Sequence, residues 1–287
     1  MMNDQASRLR RQMEIDQDRK SAKTISIVSG KGGVGKSSFA VNFALELLNL
    51  KKKVLLFDLD VGMGNVDILL GLQANTSFVE MFNRNLSIHD IIELGPNNLA
   101  FISGGSGLQE FFSLNEKQKH RFYQEFKELS QMYDYIIFDM GAGISLTSLF
   151  FILAADECIV VTTPEPTAIM DAYSMIKHVI KKDKEKPIHV IMNKAISHAA
   201  GMKALEQFEK IVENFLHIKI DRMGILPDDN IVNQAVMKQI PFVLLNDRAK
   251  ISKSLKQITT NYIMKYNKIN KISTVSFLQK LRVFLKR

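Results

Sequence analysis

TISIVSGKGGVGKSS, residues 24–38, decides how the rest of the chain is read. Its first five residues are a β-branched run that suits a strand. A glycine-rich loop follows, and then the helical pattern FAVNFALELLNL at 39–50. Within the loop, Gly30-Lys31-Gly32-Gly33-Val34-Gly35-Lys36-Ser37 fits G-x-x-x-x-G-K-[ST] in the setting that motif requires, after a strand and opening a helix. Glycines let successive backbone N–H groups curl around phosphate oxygens. The helix N-terminus adds its partial positive charge. In such a loop Lys36 reaches the β- and γ-phosphates of ATP and Ser37 ligates Mg²⁺, with Ser38 beside it among the nucleotide-binding residues. Lys31 is a second lysine, at a position the general motif leaves open. There it adds charge either at its own nucleotide or at one held by a facing subunit.

Outward from the loop the pattern repeats. KVLLF (53–57), LAFIS (99–103), YIIFD (135–139), ECIVV (157–161), HVIMN (189–193) and IDRMGIL (220–226) read as strands. Residues 77–94 read as short helices with Ser77 and Ser87 as N-caps. Longer helices are expected at 115–132, 145–155, 167–182, 199–215, 230–239 and 248–266. The strands are apolar on both faces, as parallel strands covered on both sides must be. The expectation is one doubly wound α/β domain over 24–266, a mainly parallel sheet with helices on both faces. An N-terminal arm, 1–23, precedes it, and a linker with an amphipathic helix, 267–287, follows.

Composition narrows the classes. Apolar residues at 46% and charged residues at 24% exclude wholesale disorder. No apolar run approaches the ~18 residues of a membrane-crossing helix, and the polar first 23 residues do not form a secretory signal. One cysteine, Cys158, excludes a disulfide framework and a cysteine-based metal or cluster site within one chain. The expected compartment is the cytoplasm. Charge is unevenly spread: 38 Lys+Arg against 30 Asp+Glu give +8, yet 11 of the bases and none of the acids lie between Arg248 and Arg287. A basic tail on a mildly acidic body points to an anionic partner, a membrane surface or nucleic acid.

The carboxylates fall where a phosphate site needs them. Asp58 and Asp60 end one strand, with Asn65 shortly after, and Asp139 ends another, followed by Gly141. The carboxyl edge of a parallel sheet faces the ligand crevice. KGGVGKSS resembles the deviant Walker A motif of the MinD/ParA ATPases. The D-L-D-V-G-M-G-N stretch from Asp58 to Asn65 is similar to that family's first switch, and I-F-D-M-G-A-G (137–143) to its Walker B strand and second switch. The resemblance implies that Lys31 crosses an ATP-sandwiched dimer to the partner's phosphates, that Asp60 orients or activates the attacking water with help from Asn65, and that Asp58 and Asp139 support the Mg²⁺ shell. It also implies that the Gly141 N–H senses the γ-phosphate, that Asn193 reads adenine, and that the loop at Pro227 and Asp228 frames the base. Pro164-Glu165-Pro166 resembles a loop near the ribose and the dimer interface.

Two ends narrow the group. Asp4-Gln5-Ala6-Ser7-Arg8-Leu9-Arg10 resembles the N-terminal element of the FlhG (YlxH, FleN) flagellar-number regulators, in which it stimulates the GTPase FlhF. At the other end Phe277, Leu278, Leu281, Phe284 and Leu285 share roughly 120° of helical arc, with Lys280 and Arg282 outside it. That is the pattern of an interfacial helix on anionic lipid, either free or docked on the domain in the monomer and released in the dimer. The expectation is a slow, Mg²⁺-dependent regulatory ATPase, an ATP-dependent homodimer held reversibly at the inner face of the cell membrane. The family implies flagellar placement and number as its task, with an FlhF-like GTPase and switch-complex proteins as partners and no sequence-specific nucleic acid. The alternatives are a MinD-type division-site regulator, which lacks such an arm, and a ParA-type DNA-partition ATPase, which does not need the Phe/Leu face.

Overall fold

The computed structural model describes residues 21–60, 65–104, 115–269 and 277–285. The arm residues Asp4, Gln5, Ala6, Leu9 and Arg10 lie outside them. Eight strands form one sheet in the order β3-β4-β2-β5-β1-β6-β7-β8. They are β1 (Lys23–Val28), β2 (Val54–Leu59), β3 (Glu93–Leu94), β4 (Ala100–Ile102), β5 (Tyr135–Met140), β6 (Glu157–Thr162), β7 (Ile188–Ala195) and β8 (Asp221–Pro227). Every pairing is parallel except β3 with β4. Every residue of β1, β2 and β5 is buried, because helices cover both faces.

On one face the core is built by α1 (Lys36–Asn49), α2 (Val66–Leu70), α8 (Asn230–Lys238), α9 (Phe242–Leu245) and α10 (Lys250–Ile269). The other face carries α3 (Phe78–Asn83), α4 (Glu116–Met132), α5 (Leu146–Ala154), α6 (Pro166–Ile180), α7 (His198–Leu216) and α11 (Phe277–Leu285). No helix among the described residues is long and apolar enough to cross a membrane.

Two places depart from the sequence reading. Residues 77–94 are not helical throughout: Ser77 caps α3 and Ser87 caps a 3-10 turn, but Glu93 and Leu94 pair antiparallel with β4. A turn from Gly95 to Leu99, with Asn97 and Asn98 left-handed, folds the chain back and lays those two residues along the neighbour. Helix α2 was not foreseen because its N-terminus is held from outside. Asp58 accepts the N–H groups of Asn65 and Val66, an anchoring no local pattern announces.

Helix α11 takes the docked one of the two arrangements that its pattern allows. Its apolar face is turned into the domain. Phe277 and Leu281 are buried, Leu278 is half-buried, and the Phe277 ring lies 4.5 Å from Phe126 and 5.3 Å from Phe138. Lys280 donates to the Leu153 carbonyl at the end of α5. Each large apolar side chain so buried stabilises the docked state by ~1.5–3 kcal/mol, so Phe277 to Leu281 form the last element of a helical layer. The Arg282, Phe284 and Leu285 side chains lie outside the described residues.

At the amino edge of the sheet a charged network joins four strands to α10. His189 stands 2.8 Å from Asp221 and 3.3 Å from Glu157. Lys23 and Tyr262 also bind Glu157, and Lys265 binds Asp221. Burial alone would lower the His189 pKa, but hydrogen bonds to Asp221 and Glu157 and their negative charges outweigh it and raise it. Burial likewise pushes Glu157 up, yet His189 and Lys23 draw it down to about 2. A pKa raised by folding stabilises fully below the unfolded value of about 6.5, and the contribution is lost as pH climbs through the native value. His189→Gln is therefore expected to cost about 3 kcal/mol near pH ~6 and less near pH ~9, read from chemical unfolding. A pH-independent cost would contradict a charged ring.

At the opposite edge Gly30 abuts α6. A Cβ there would lie 2.2 Å from the Asp171 carbonyl carbon and 2.6 Å from the Ala172 nitrogen, whereas one at Gly32 would meet nothing within 4 Å. Gly30→Ala should lower the unfolding free energy by about 3 kcal/mol or more, and Gly32→Ala by less than about 0.5 kcal/mol. Thermal denaturation of the two variants decides it.

Candidate functional site

The loop from Gly30 to Ser37 turns from the end of β1 into α1. Gly33 and Gly35 take left-handed φ of 79° and 89°, which glycine adopts without strain. A Cβ on Gly35 would lie 2.4 Å from the Asn193 amide nitrogen, so only glycine lets the end of β7 close on the loop. Lys36, the first residue of α1, is buried. Its Nζ stands 2.6 Å from Asp139 Oδ1, 3.0 Å from Ser37 Oγ and 3.9 Å from Asp60 Oδ2.

Strand register assembles the acids. β5 runs between β1 and β2, so Asp139 pairs with Ile27 on one side and with Asp58 on the other. Burial pushes the Asp139 carboxyl up, while Lys36 opposes it. Burial and the Asp139 charge push Asp58 up to about 7. Both Asp58 oxygens are engaged by backbone: one accepts from Asp60 N at 3.1 Å, the other from Asn65 N and Val66 N at 3.0 and 3.2 Å. Asp58 thus ties down the start and the end of the first switch, a role the motif did not convey. Asp139 differs. One oxygen faces Lys36, and the other is buried without a hydrogen-bond partner. That free oxygen, with the Ser37 hydroxyl near Lys36, is the donor set that suits a hydrated divalent cation.

Asp60 lies just past β2, 22% exposed. A Cβ on Gly141 would be 3.0 Å from its Oδ1, so the two switches touch here. The Gly143 N–H, donating to Ser29 O at 3.1 Å, fastens the second switch to the end of β1. Next to this cluster a cleft is lined by Ser38, Asn193, Lys194, Pro227, Asp228 and Asn233. Asn193 donates to Val34 O and Asp228 N to Ala195 O. Lys31 points elsewhere. Its Nζ is bound within its own chain by Glu165 at 2.9 Å and Thr167 at 3.0 Å, at the start of α6.

The structure therefore gathers Lys36, Ser37, Asp58, Asp60 and Asp139 at one point, with Ser38, Asn193, Pro227 and Asp228 lining the neighbouring cleft. It sets Phe277, Leu278, Lys280 and Leu281 apart, among α4 and α5. Three residues make contacts that the motifs do not convey, although Lys194 and Asp229 lie in the two stretches that resemble the family's base-binding segments. Lys194 donates to Gly33 O, and its place after Asn193 was the available signal. Asp229 caps α8 and also accepts from Ile251 N at the start of α10, and Thr167 binds Lys31. The Asp229 cap is local, an aspartate just before an expected helix, whereas its bond to Ile251 and the Thr167 contact are revealed only by proximity in space.

A family profile described as an AAA domain matches residues 22–197. The chain is 33% identical over 234 residues to the antiactivator FleN of Pseudomonas aeruginosa, spanning 82% of this chain and 84% of FleN. It is 31% identical over 297 residues to the flagellum site-determining protein YlxH of Helicobacter pylori, spanning 99% of this chain and 100% of YlxH. Among solved structures, the septum site-determining protein MinD of Pyrococcus horikoshii, complexed with Mg-ADP, superposes with a TM-score of 0.68. That match is 22% identical and covers 88% of this chain and 100% of MinD, and at that identity it speaks for the fold. With a third of its positions shared with FleN over most of both chains and YlxH matched along its whole length, the chain belongs to the FleN and YlxH (FlhG) family of MinD/ParA-type P-loop ATPases.

Proposed function

We propose that this chain is an ATP-driven dimer switch that governs flagellar number and placement from the membrane surface. The observation that carries the reading is the buried Lys36–Asp139 pair beside Asp60. ATP entering loop 30–37 takes Lys36 onto its β- and γ-phosphates and releases Asp139 to the metal shell. The adenine lies in the cleft of Ser38, Asn193, Pro227 and Asp228. Ser37 and Asp139 would hold Mg²⁺, which when bound would supply charge neutralisation at the phosphates, and Asp58 holds the first switch behind them. Asp60, aided by Asn65, orients the water whose oxygen bonds the γ-phosphorus as the bond to the β–γ bridging oxygen breaks, giving ADP and phosphate. The Gly141 N–H meets the γ-phosphate. Lys31 leaves Glu165 and crosses to the partner's nucleotide.

The same switch governs attachment. A helix whose Phe277 and Leu281 are buried inside the domain cannot insert them in lipid, so docking of α11 and membrane binding exclude each other. Phe138, on which Phe277 packs, immediately precedes Asp139. We read the ATP dimer as the state that frees Phe277, Leu278, Leu281, Phe284 and Leu285 for the bilayer, with Lys280 and Arg282 on anionic headgroups. Two copies then bind by avidity. Residues 1–23, with Asp4, Gln5, Ala6, Leu9 and Arg10, engage an FlhF-like GTPase, and flagellar switch-complex proteins are the further partners. Support comes from the similarity to a flagellum site-determining protein along its full length.

Asp60→Ala should still bind ATP, hydrolyse it at least about 100-fold more slowly and accumulate as a dimer in size-exclusion chromatography. A monomeric Asp60→Ala in ATP and Mg²⁺ would sink the switch. Lys36→Ala should lose nucleotide binding. Co-sedimentation with anionic vesicles, with duplex DNA as competitor, tests attachment. The full chain should pellet with ATP and not with ADP, residues 1–272 should not pellet, and DNA should not displace the chain. Displacement by DNA would move the partition-ATPase reading ahead.

A further inference from the structure

We infer that Lys194 is a positioning residue that holds the phosphate loop in its binding shape before any nucleotide arrives; the inference rests on the reading that loop 30–37 binds ATP. Val34 is buried in the core, but the two glycines before it have little packing of their own. Apart from chain neighbours, no heavy atom among the described residues lies within 4 Å of where a Cβ on Gly32 or Gly33 would stand. What holds the tip comes from β7. The ladder between β7 and β8 is irregular between Met192 and Ala195, and there Lys194 turns to a left-handed φ of 54°. L side chains rarely adopt that conformation, and it persists only where surroundings enforce it. Its effect is to send two consecutive side chains to two consecutive loop carbonyls. Asn193 Nδ2 donates to Val34 O at 2.8 Å, and Lys194 Nζ donates to Gly33 O at 2.8 Å.

The direction of those bonds matters. In a trans peptide the C=O and the N–H point opposite ways, and no peptide bond described here is cis. Drawing the Gly33 and Val34 carbonyls towards β7 therefore turns the N–H groups of Val34 and Gly35 away from it, the orientation in which a phosphate could meet them. Lys31, bound to Glu165 and Thr167, braces the same loop from α6. Lys194 acts through these amides and makes no phosphate contact itself, so its contribution should not depend on the base.

The test is calorimetric titration of the full chain with Mg-ADP and, separately, with inorganic pyrophosphate, for wild type, Lys194→Met, Lys194→Arg and Lys194→Gly. Lys194→Met should weaken both ligands by the same factor, about tenfold for one charge-assisted hydrogen bond, and Lys194→Arg should restore most of it. Lys194→Gly frees the left-handed backbone while removing the bond. Its unfolding temperature should match or exceed wild type, while both ligands weaken as in Lys194→Met. Unchanged affinities in Lys194→Met, or a loss for ADP with none for pyrophosphate, overturn the inference; the second result would make Lys194 a base contact. A wild-type chain that takes up neither ligand would instead overturn the ATP reading beneath it.

Discussion

A carboxylate taken out of water costs several kcal/mol unless a partner compensates it, and Asp139 is fully buried with Lys36 at 2.6 Å as that partner. The rest of the site depends on this pair. Lys36 can reach Asp139 because β1 and β5 are neighbours and the loop returns over their ends. Asp139 can be buried there because α1 begins with the lysine that neutralises it. Asp58, one strand further, is held by three backbone N–H groups and so shapes the first switch. Adjacent strands thus hold two carboxylates in different ways, one by a lysine and one by backbone N–H groups.

Much of this was legible in the chain before any coordinates. The strand–loop–helix unit at 24–50 announces itself because glycine, lysine and serine occupy fixed offsets, and the strand-end aspartates follow from a sheet apolar on both faces. What was not legible is whatever depends on contacts distant in sequence. The Asp58 anchoring of α2, the seat of α11 on Phe126 and Phe138, and the grip of Lys194 on Gly33 each join residues 7 to 161 positions apart. The pattern of 275–287 is a particular lesson. An apolar arc with basic flanks specifies that the arc must be covered, and periodicity alone does not say whether lipid or protein covers it.

A short physical route joins the phosphate-loop side of the sheet to the last helix. Phe138 and Asp139 are consecutive in β5, and alternation in a strand sends them to opposite faces of the sheet. One face meets the phosphate loop, the other the ring of Phe277. A change in what Asp139 holds is one residue away from the surface that holds the last helix.

The two-residue strand β3 has a consequence for how copies of this chain can meet. It runs against the grain of the sheet, is too short to template another strand, and occupies one margin. At the other margin α10 packs on β8. So short an edge as β3 gives another copy of the chain little backbone to pair with on that side of the sheet.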